Sequence, residues 1–249
     1  MDFEITEYQR VLSSCIVLIP ARNEEDTLPK LLGQLSRYKP EMVVVVDNNS
    51  SDRTMELAKN SGAVVVYERR IGYGSACLAG IRFISLLQVK PKYICFFDAD
   101  GQSNVEDIVK VATPVLARKT NYCQGSRMIL NNSVNSLTLM ARIANNFFAK
   151  LLSILFKRKI TDLGPLRVMT WDTLISIDMR SIGFGWTIEM STKILKQNEM
   201  HFEVPVNYNR RFKGKSKISG NFSTAIMAAF IMVITLFSTL FFWRNTDVQ

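Results

Sequence analysis

Tyr93-Ile94-Cys95-Phe96-Phe97, followed at once by Asp98-Ala99-Asp100-Gly101-Gln102, is the stretch on which the reading of this chain turns. The apolar run reads as a buried strand, and two carboxylates one residue apart stand where it ends. Carboxylates so placed are costly unless something positive sits against them. A divalent cation carrying a diphosphate meets that need, and hard oxygen ligands suit Mg²⁺ or Mn²⁺. A solvated turn is the plain alternative, because Asp and Gly are common turn residues. Taken alone, these residues leave both readings open, and the rest of the chain decides for the first.

Upstream, Ser14 to Pro20 is a short apolar run, Met42 to Val46 is a β-branched run ending at Asp47, and Ala63 to Tyr67 is a further one. Helix signals lie between them. Asp26 can cap a helix through Leu35, with Pro29 tolerated in its first turn. Asp52 opens a helix that Gly62 closes. Ser75 to Gln88 carries apolar residues at helical spacing. This alternation of strand and helix predicts an α/β fold with a mostly parallel, twisted sheet, flanking helices and right-handed crossovers. Ligands of such sheets bind at the carboxyl ends of the strands. Arg22, Glu24, Asp47 and Asp98 all stand at such ends, so they should converge on one edge.

Beyond Asp98 the alternation weakens. Leu137 to Phe156 reads as one long helix carrying Arg142 and Lys150, and Ile160 to Met169 as irregular or strand-like. Trp186 to Asn198 reads as an amphipathic helix, and Phe202 to Tyr208 as a strand. Gly72-Tyr73-Gly74 does not open a dinucleotide fingerprint. It follows the third strand and not the first, and Cys77 stands where a third small residue belongs. A tight turn that lets the backbone approach a nucleotide is the better reading, and it places Gly74 on the nucleotide side.

The formal charge of +9 on 249 residues calls for an anionic partner. Nucleic acid fits least, because the basic residues cluster before an apolar tail without interleaved aromatics. Cys15, Cys77, Cys95 and Cys123 show no CxxC spacing and read as reduced core residues. The lone histidine, His201, excludes a multi-histidine metal site and reads as structural. The N-terminus, Met1-Asp2-Phe3-Glu4, lacks the pattern of a signal peptide. Thr224 to Trp243 is uncharged and apolar, and a helix of about 20 such residues matches a bilayer's hydrocarbon thickness. It has no polar face to lie on, so it is expected to span or insert deeply. The basic residues from Arg210 to Lys217 precede it, which keeps the N-terminal domain in the cytoplasm. Two parts are therefore expected: a catalytic domain over residues 1–220 and a hydrophobic anchor over 221–249.

The motifs occur in a telling order: Ile19-Pro20-Ala21-Arg22-Asn23-Glu24, Val45-Val46-Asp47-Asn48-Asn49-Ser50-Ser51-Asp52, Asp98-Ala99-Asp100-Gly101-Gln102, Gly125-Ser126-Arg127 and Lys215-Ser216-Lys217-Ile218. Over residues 14–220 the chain resembles a family 2 glycosyltransferase of the dolichyl-phosphate mannosyltransferase or glucosyltransferase type. The resemblance implies a GT-A fold, a UDP- or GDP-hexose donor, Mg²⁺ or Mn²⁺, and a polyprenyl-phosphate or other lipid acceptor at a membrane. It places Pro20, Arg22 and Glu24 in the nucleotide pocket, Asp47 on the base or ribose, and Asn48 beside it where many relatives carry a second aspartate. Asp98, Asp100 and Gln102 would surround the metal and diphosphate. Arg127 would face the acceptor phosphate. Asp162 would orient the acceptor, accept a proton or make a turn. Glu189 would meet donor hydroxyls, and Trp186 would stack on a sugar or, the better reading, pack in the core. Arg211 and Lys215 would close over the diphosphate or bind lipid headgroups. The expected reaction is inverting hexosyl transfer to a lipid phosphate. A catalytically silent membrane-bound relative is the alternative. A sugar-phosphate nucleotidyltransferase would need a Gly-rich basic loop where Pro20-Ala21-Arg22-Asn23-Glu24 stands.

Overall fold

The computed structural model describes residues 12–210 and 222–244. Its centre is a sheet of β1 (Cys15–Ala21), β2 (Met42–Asp47), β3 (Val64–Tyr67), β4 (Tyr93–Phe96), β5 (Tyr122–Ser126), β6 (Arg167–Thr170) and β7 (Phe202–Pro205). The strands lie in the order β3-β2-β1-β4-β6-β5-β7. All neighbours are parallel except β6, which runs antiparallel to both β4 and β5. The helices are α1 (Leu28–Ser36), α2 (Thr54–Asn60), α3 (Tyr73–Ser85), α4 (Asp107–Leu116), α5 (Asn131–Ser136), α6 (Leu139–Phe156), α7 (Trp171–Ser176), α8 (Trp186–Lys196) and α9 (Phe222–Phe242).

The continuous apolar strands follow from burial on both sides. Val17, Ile19, Val45, Cys95 and Phe97 point to a layer built by α1, α2 and α4. Their neighbours Ile16, Leu18, Val44, Val46, Ile94 and Phe96 point the other way, onto α3, α7 and α8. All four cysteines are buried and unpaired in these layers.

Some local expectations change. Helix α1 starts at Leu28 without a side-chain cap, so Asp26 is not its cap. The long helix expected over Leu137 to Phe156 forms as α6 but starts two residues later. Leu137 and Thr138 are extended, and the Thr138 hydroxyl accepts the Ala141 N–H to start α6 afresh. The segment read as irregular or strand-like ends in strand β6.

Helices α6 and α9 are each long and apolar enough to cross a membrane by length and composition. Both pack on α8, where Phe148 and Leu152 of α6 meet Ile188, Leu195 and Leu236. The boundary expected at residue 220, together with Arg211 and Lys215, lies outside the described residues.

Candidate active site

Adjacent strands β2, β1 and β4 end side by side. Asp47 is in register with Ala21, the Asn48 N–H donates to Ala21 O at 2.8 Å, and the Phe97 N–H donates to Leu18 O at 3.0 Å. The loops that leave these ends bind one another. The Asn23 N–H donates to Ser50 Oγ at 3.0 Å, and the Ser51 N–H to Asn23 Oδ1 at 2.8 Å. The Glu24 N–H donates to Thr54 Oγ1 at 2.8 Å, and Thr27 Oγ1 to Ala99 O at 2.8 Å. The expected convergence of Arg22, Glu24, Asp47 and Asp98 on one edge is what the sheet produces. Pro20 stands opposite Val46 just below it. Asp47 is buried; its Oδ2 accepts the Ser50 N–H at 3.3 Å, while Oδ1 has no hydrogen-bond partner among the described residues. A buried carboxylate oxygen of this kind is a ready acceptor for a ligand hydroxyl or N–H.

Asn48 and Gly74 are used differently from the sequence reading. Asn48 Nδ2 donates to Glu68 O at 3.2 Å and Arg70 O at 2.7 Å, while its Oδ1 accepts the Gly72 N–H at 2.8 Å. The amide is committed to the β3–α3 loop, which explains an amide here; a second aspartate would supply no N–H to those carbonyls. A Cβ on Gly74 would lie 2.0 Å from Ser181 O. That glycine therefore admits the backbone of the 181–182 segment, whose Ile182 O accepts the Ser75 N–H at 2.9 Å. Glu189 shapes the same segment. It accepts the Arg180 and Ser181 N–H groups at 3.0 and 2.7 Å and pairs with Lys193 at 2.7 Å. It is buried, so its expected contact with donor hydroxyls gives way to a structural one. Trp186 is a core residue, its ring centroid 5.9 Å from that of Phe96.

Asp98 and Asp100 occupy the middle of the edge. Burial and the neighbouring Asp100 charge push the Asp98 carboxyl up to about 7, against the Tyr73 hydrogen bond and the Arg127 charge. Tyr73 Oη donates to Asp98 Oδ1 at 2.9 Å. Burial, then the Asp98 charge, hold the Tyr73 hydroxyl well above its ordinary range, so it stays a donor. Asp100 Oδ1 accepts the Gln102 N–H at 3.1 Å. Gln102 itself binds the 207–209 segment, with Nε2 donating to Asn209 O at 3.0 Å and its carbonyl accepting the Asn209 N–H at 2.7 Å. A pair of hard carboxylates, one raised by burial and by its like-charged neighbour, suits a divalent cation. No group of three or more His, Cys, Asp or Glu side chains is arranged for a metal among the described residues, so substrate or water oxygens would complete the coordination.

Arg127, just past β5, is clasped by Asp162. The Arg127 backbone N–H, Nε and Nη2 donate to the Asp162 carboxylate at 2.7, 2.8 and 2.7 Å. The Asp162 side chain is 0% exposed and that of Arg127 14%. Burial works against the Arg127 charge, but Asp162 outweighs it and holds the guanidinium above its ordinary range. Asp162 is thus neither a free base nor a turn residue but the partner of this arginine, and one side of the fork expected for phosphate is already filled. Glu203 fixes the clasp from beneath, accepting from Thr161 Oγ1 at 2.6 Å and from the Asp162 N–H at 3.2 Å. Above, the Arg127 guanidinium carbon lies 5.1 Å from the Tyr208 ring centroid. Tyr208 is within electrostatic reach of Asp100 and Asp98, and burial then those charges raise its hydroxyl. Tyr73, Tyr208 and Glu203 were not singled out from sequence. Only Tyr73 carried a signal, its place between Gly72 and Gly74.

The family model for "Glycosyl transferase family 2" matches residues 16–174. An uncharacterized protein of Methanocaldococcus jannaschii is 35% identical over 199 residues, covering 76% of this chain and 79% of that one. An undecaprenyl-phosphate mannosyltransferase of Micrococcus luteus is 29% identical over 216 residues, covering 82% and 87%. Among solved structures, glucosyl-3-phosphoglycerate synthase of Mycobacterium tuberculosis in complex with Mn²⁺, UDP and phosphoglyceric acid superposes with a TM-score of 0.72 at 18% identity, covering 97% of this chain and 84% of that one. That likeness is one of fold, and the fold is the GT-A fold the motifs implied.

Proposed function

The chain belongs to glycosyl transferase family 2, and on that premise we propose that it moves a hexose from a UDP- or GDP-sugar to a membrane lipid phosphate of the polyprenyl type, with inversion. The observation that carries the reading is the position of Asp98 and Asp100, between the Glu24–Asp47 side of the edge and the Arg127–Asp162 clasp. Asp98 feels the charges of both Arg127 and Glu24. The donor lies over the first side and the acceptor phosphate approaches from the second. The mannosyltransferase relative acts on a lipid phosphate by its name, and the fold neighbour was solved with Mn²⁺ and UDP.

In this reading Pro20, Arg22 and Glu24 line the nucleotide pocket, and the open Asp47 Oδ1 accepts from base or ribose. Asn48 and Gly74 act at one remove, by holding the loops that border it. Asp98 and Asp100 hold the divalent cation, with Tyr73 fixing the Asp98 rotamer; Gln102 supports the loop from Asn209. A divalent cation held there would supply charge stabilisation for the departing diphosphate. A phosphate monoester is already anionic near neutral pH and needs no strong general base. One of its oxygens bonds to the anomeric carbon as the bond from that carbon to the diphosphate breaks. Arg127, its charge secured by Asp162 and its other side shared with Tyr208, faces that phosphate. Arg211 and Lys215 add positive charge over the diphosphate. The catalytic domain, residues 1–220, faces the cytoplasm, and the segment from 221 holds it at the membrane.

A donor screen with membrane fractions, reading radiolabel in extractable lipid, tests the reading. Transfer from one nucleotide-hexose into lipid is expected. Donor binding without transfer or hydrolysis would favour a silent partner subunit instead.

A further inference from the structure

Helix α6 presents Leu139, Ile143, Phe147 and Ile154 on its outward side, Phe147 being 57% exposed, with Asn146 and Lys150 as the exposed polar residues among them. A helix facing water alone carries a mostly polar outward face. Helix α9 repeats the pattern with Ile226, Phe230, Ile234, Phe237 and Phe241, and Phe230 is 64% exposed. Neither helix contains an acidic residue. Their opposite faces meet α8 in one cluster, through Phe148, Leu152, Leu195 and Leu236.

Helix α9 is fastened to the domain far along its length. Thr235 Oγ1 lies so close to α8 that a Cβ on Gly185 would be 2.4 Å from it. At the far end Lys196 Nζ donates to the carbonyls of Thr239, Leu240 and Trp243 at 3.0, 2.7 and 2.6 Å. The ammonium groups of Lys193 and Lys196 stand 5.4 and 5.6 Å from the Trp243 ring centroid. Helix α8 is itself buried against the sheet through Trp186, Met190 and Ile194. A helix crossing about 30 Å of hydrocarbon would have to drag α8, with its lysines, into lipid.

We propose that α6 and α9 together form a face that lies on one membrane leaflet, so that α9 seats the domain in the plane of the bilayer and does not cross it. Charge favours lipid as the occupant. Lys150, a long side chain rising from within the α6 stripe, Lys157 and Lys159 just past its end, and Arg244 past the end of α9 are exposed cations that can reach anionic headgroups. The face also adjoins the acceptor side of the site. Asn145 of α6 donates to Thr161 O at 3.2 Å and accepts the Leu163 N–H at 2.9 Å, the two neighbours of Asp162 in the Arg127 clasp. A lipid phosphate in the same leaflet would meet Arg127 from this helix; that last step rests on the proposed function.

The full chain on sealed vesicles containing phosphatidylglycerol tests the geometry. The native cysteines are buried, so an impermeant maleimide reads only introduced ones. Arg244→Cys should be labelled without detergent, as should Lys30→Cys at an exposed position of α1. Labelling of Arg244→Cys only after detergent, with Lys30→Cys labelled before it, means that α9 crosses and overturns the proposal. Ile143→Glu with Phe147→Glu should reduce vesicle flotation by about tenfold or more, with far-UV circular dichroism unchanged. Lys150→Glu, a milder surface change, should weaken flotation on anionic but not on neutral vesicles. Unchanged flotation in both variants removes α6 from the face and overturns it as well. Flotation needs no turnover, so loss of sugar transfer with flotation intact would count against the proposed reaction alone.

Discussion

Arg127 and Asp162 form a closed pair in which a backbone N–H and two guanidinium nitrogens converge on one buried carboxylate. Breaking such a pair from one side leaves a buried charge without its counter-charge, which typically costs about 3–5 kcal/mol. Asp162→Asn should therefore lower unfolding free energy by an amount of that order in urea titrations. Arg127→Lys keeps the charge and loses the fork. It should raise the acceptor KM about tenfold to a hundredfold while nucleotide-sugar affinity stays nearly constant. A collapse of donor affinity with unchanged acceptor dependence would move Arg127 to the nucleotide side.

Asp98 and Asp100 can be tested through the cation they are proposed to hold. Asp100→Asn should nearly abolish transfer, and EDTA should do the same to the wild type. Tyr73→Phe removes the hydroxyl that donates to Asp98 Oδ1 at 2.9 Å. It should weaken Mn²⁺ binding, read by electron paramagnetic resonance of the free ion, by a few-fold, without changing the fold. Full activity in chelator with no added metal would remove the cation from the reaction.

The β3–α3 loop depends on close backbone approach. Gly74→Ala would set a Cβ 2.0 Å from Ser181 O, so it must shift either α3 or the 181–182 segment. Thermal unfolding should show a loss of several degrees. Asn48→Asp removes the N–H donors to Glu68 O and Arg70 O. It should destabilise by about 1–3 kcal/mol and gain no nucleotide affinity. A tighter donor complex in this variant would mean that the amide had faced the base after all.

The parallel half of the fold was legible because its strands are buried on both faces. Runs such as Val43-Val44-Val45-Val46 then leave only turns and helices between them, and Asp47 and Asp98 mark their carboxyl ends. The direction of β6, within a segment read as irregular or strand-like, was not legible. Arg167-Val168-Met169-Thr170 has no property that fixes its direction, which is set by pairing with Phe96 on one side and Gln124 on the other. Position along the edge could be read, but occupancy could not. Nothing local to Asn48 announces a bond to Arg70 O, 22 residues on, and nothing near Arg127 announces that Asp162, 35 residues away, fills its fork. Long-range pairs of this kind belong to the assembled sheet. For the same reason, composition alone made α9 an isolated anchor, although Lys196 and Gly185 hold it to α8.

His201 gives a pH test independent of catalysis. Its ring lies 5.3 Å from that of Tyr122, and neither nitrogen has a hydrogen-bond partner among the described residues. Burial, then the Arg167 charge, lower its pKa from 6.5 to about 3, so the 4.0 Å contact with Glu203 is not an ion pair at neutral pH. The unfolded chain therefore binds a proton at this residue across the window from 6.5 down to about 3 that the folded chain does not. Its contribution to stability is whole above 6.5 and is lost as pH falls through that window. At 1.36 kcal/mol per pH unit, the loss is about 2 kcal/mol at pH 5 relative to pH 7. His201→Phe keeps the aromatic contact and removes both the proton and the unpartnered nitrogens. Urea unfolding of wild type and variant at the two pH values isolates the residue from the carboxylates, which titrate alike in both. The variant should gain about 2 kcal/mol on the wild type between pH 7 and pH 5. A constant difference across that range would mean that His201 binds its proton equally in the folded and unfolded chain.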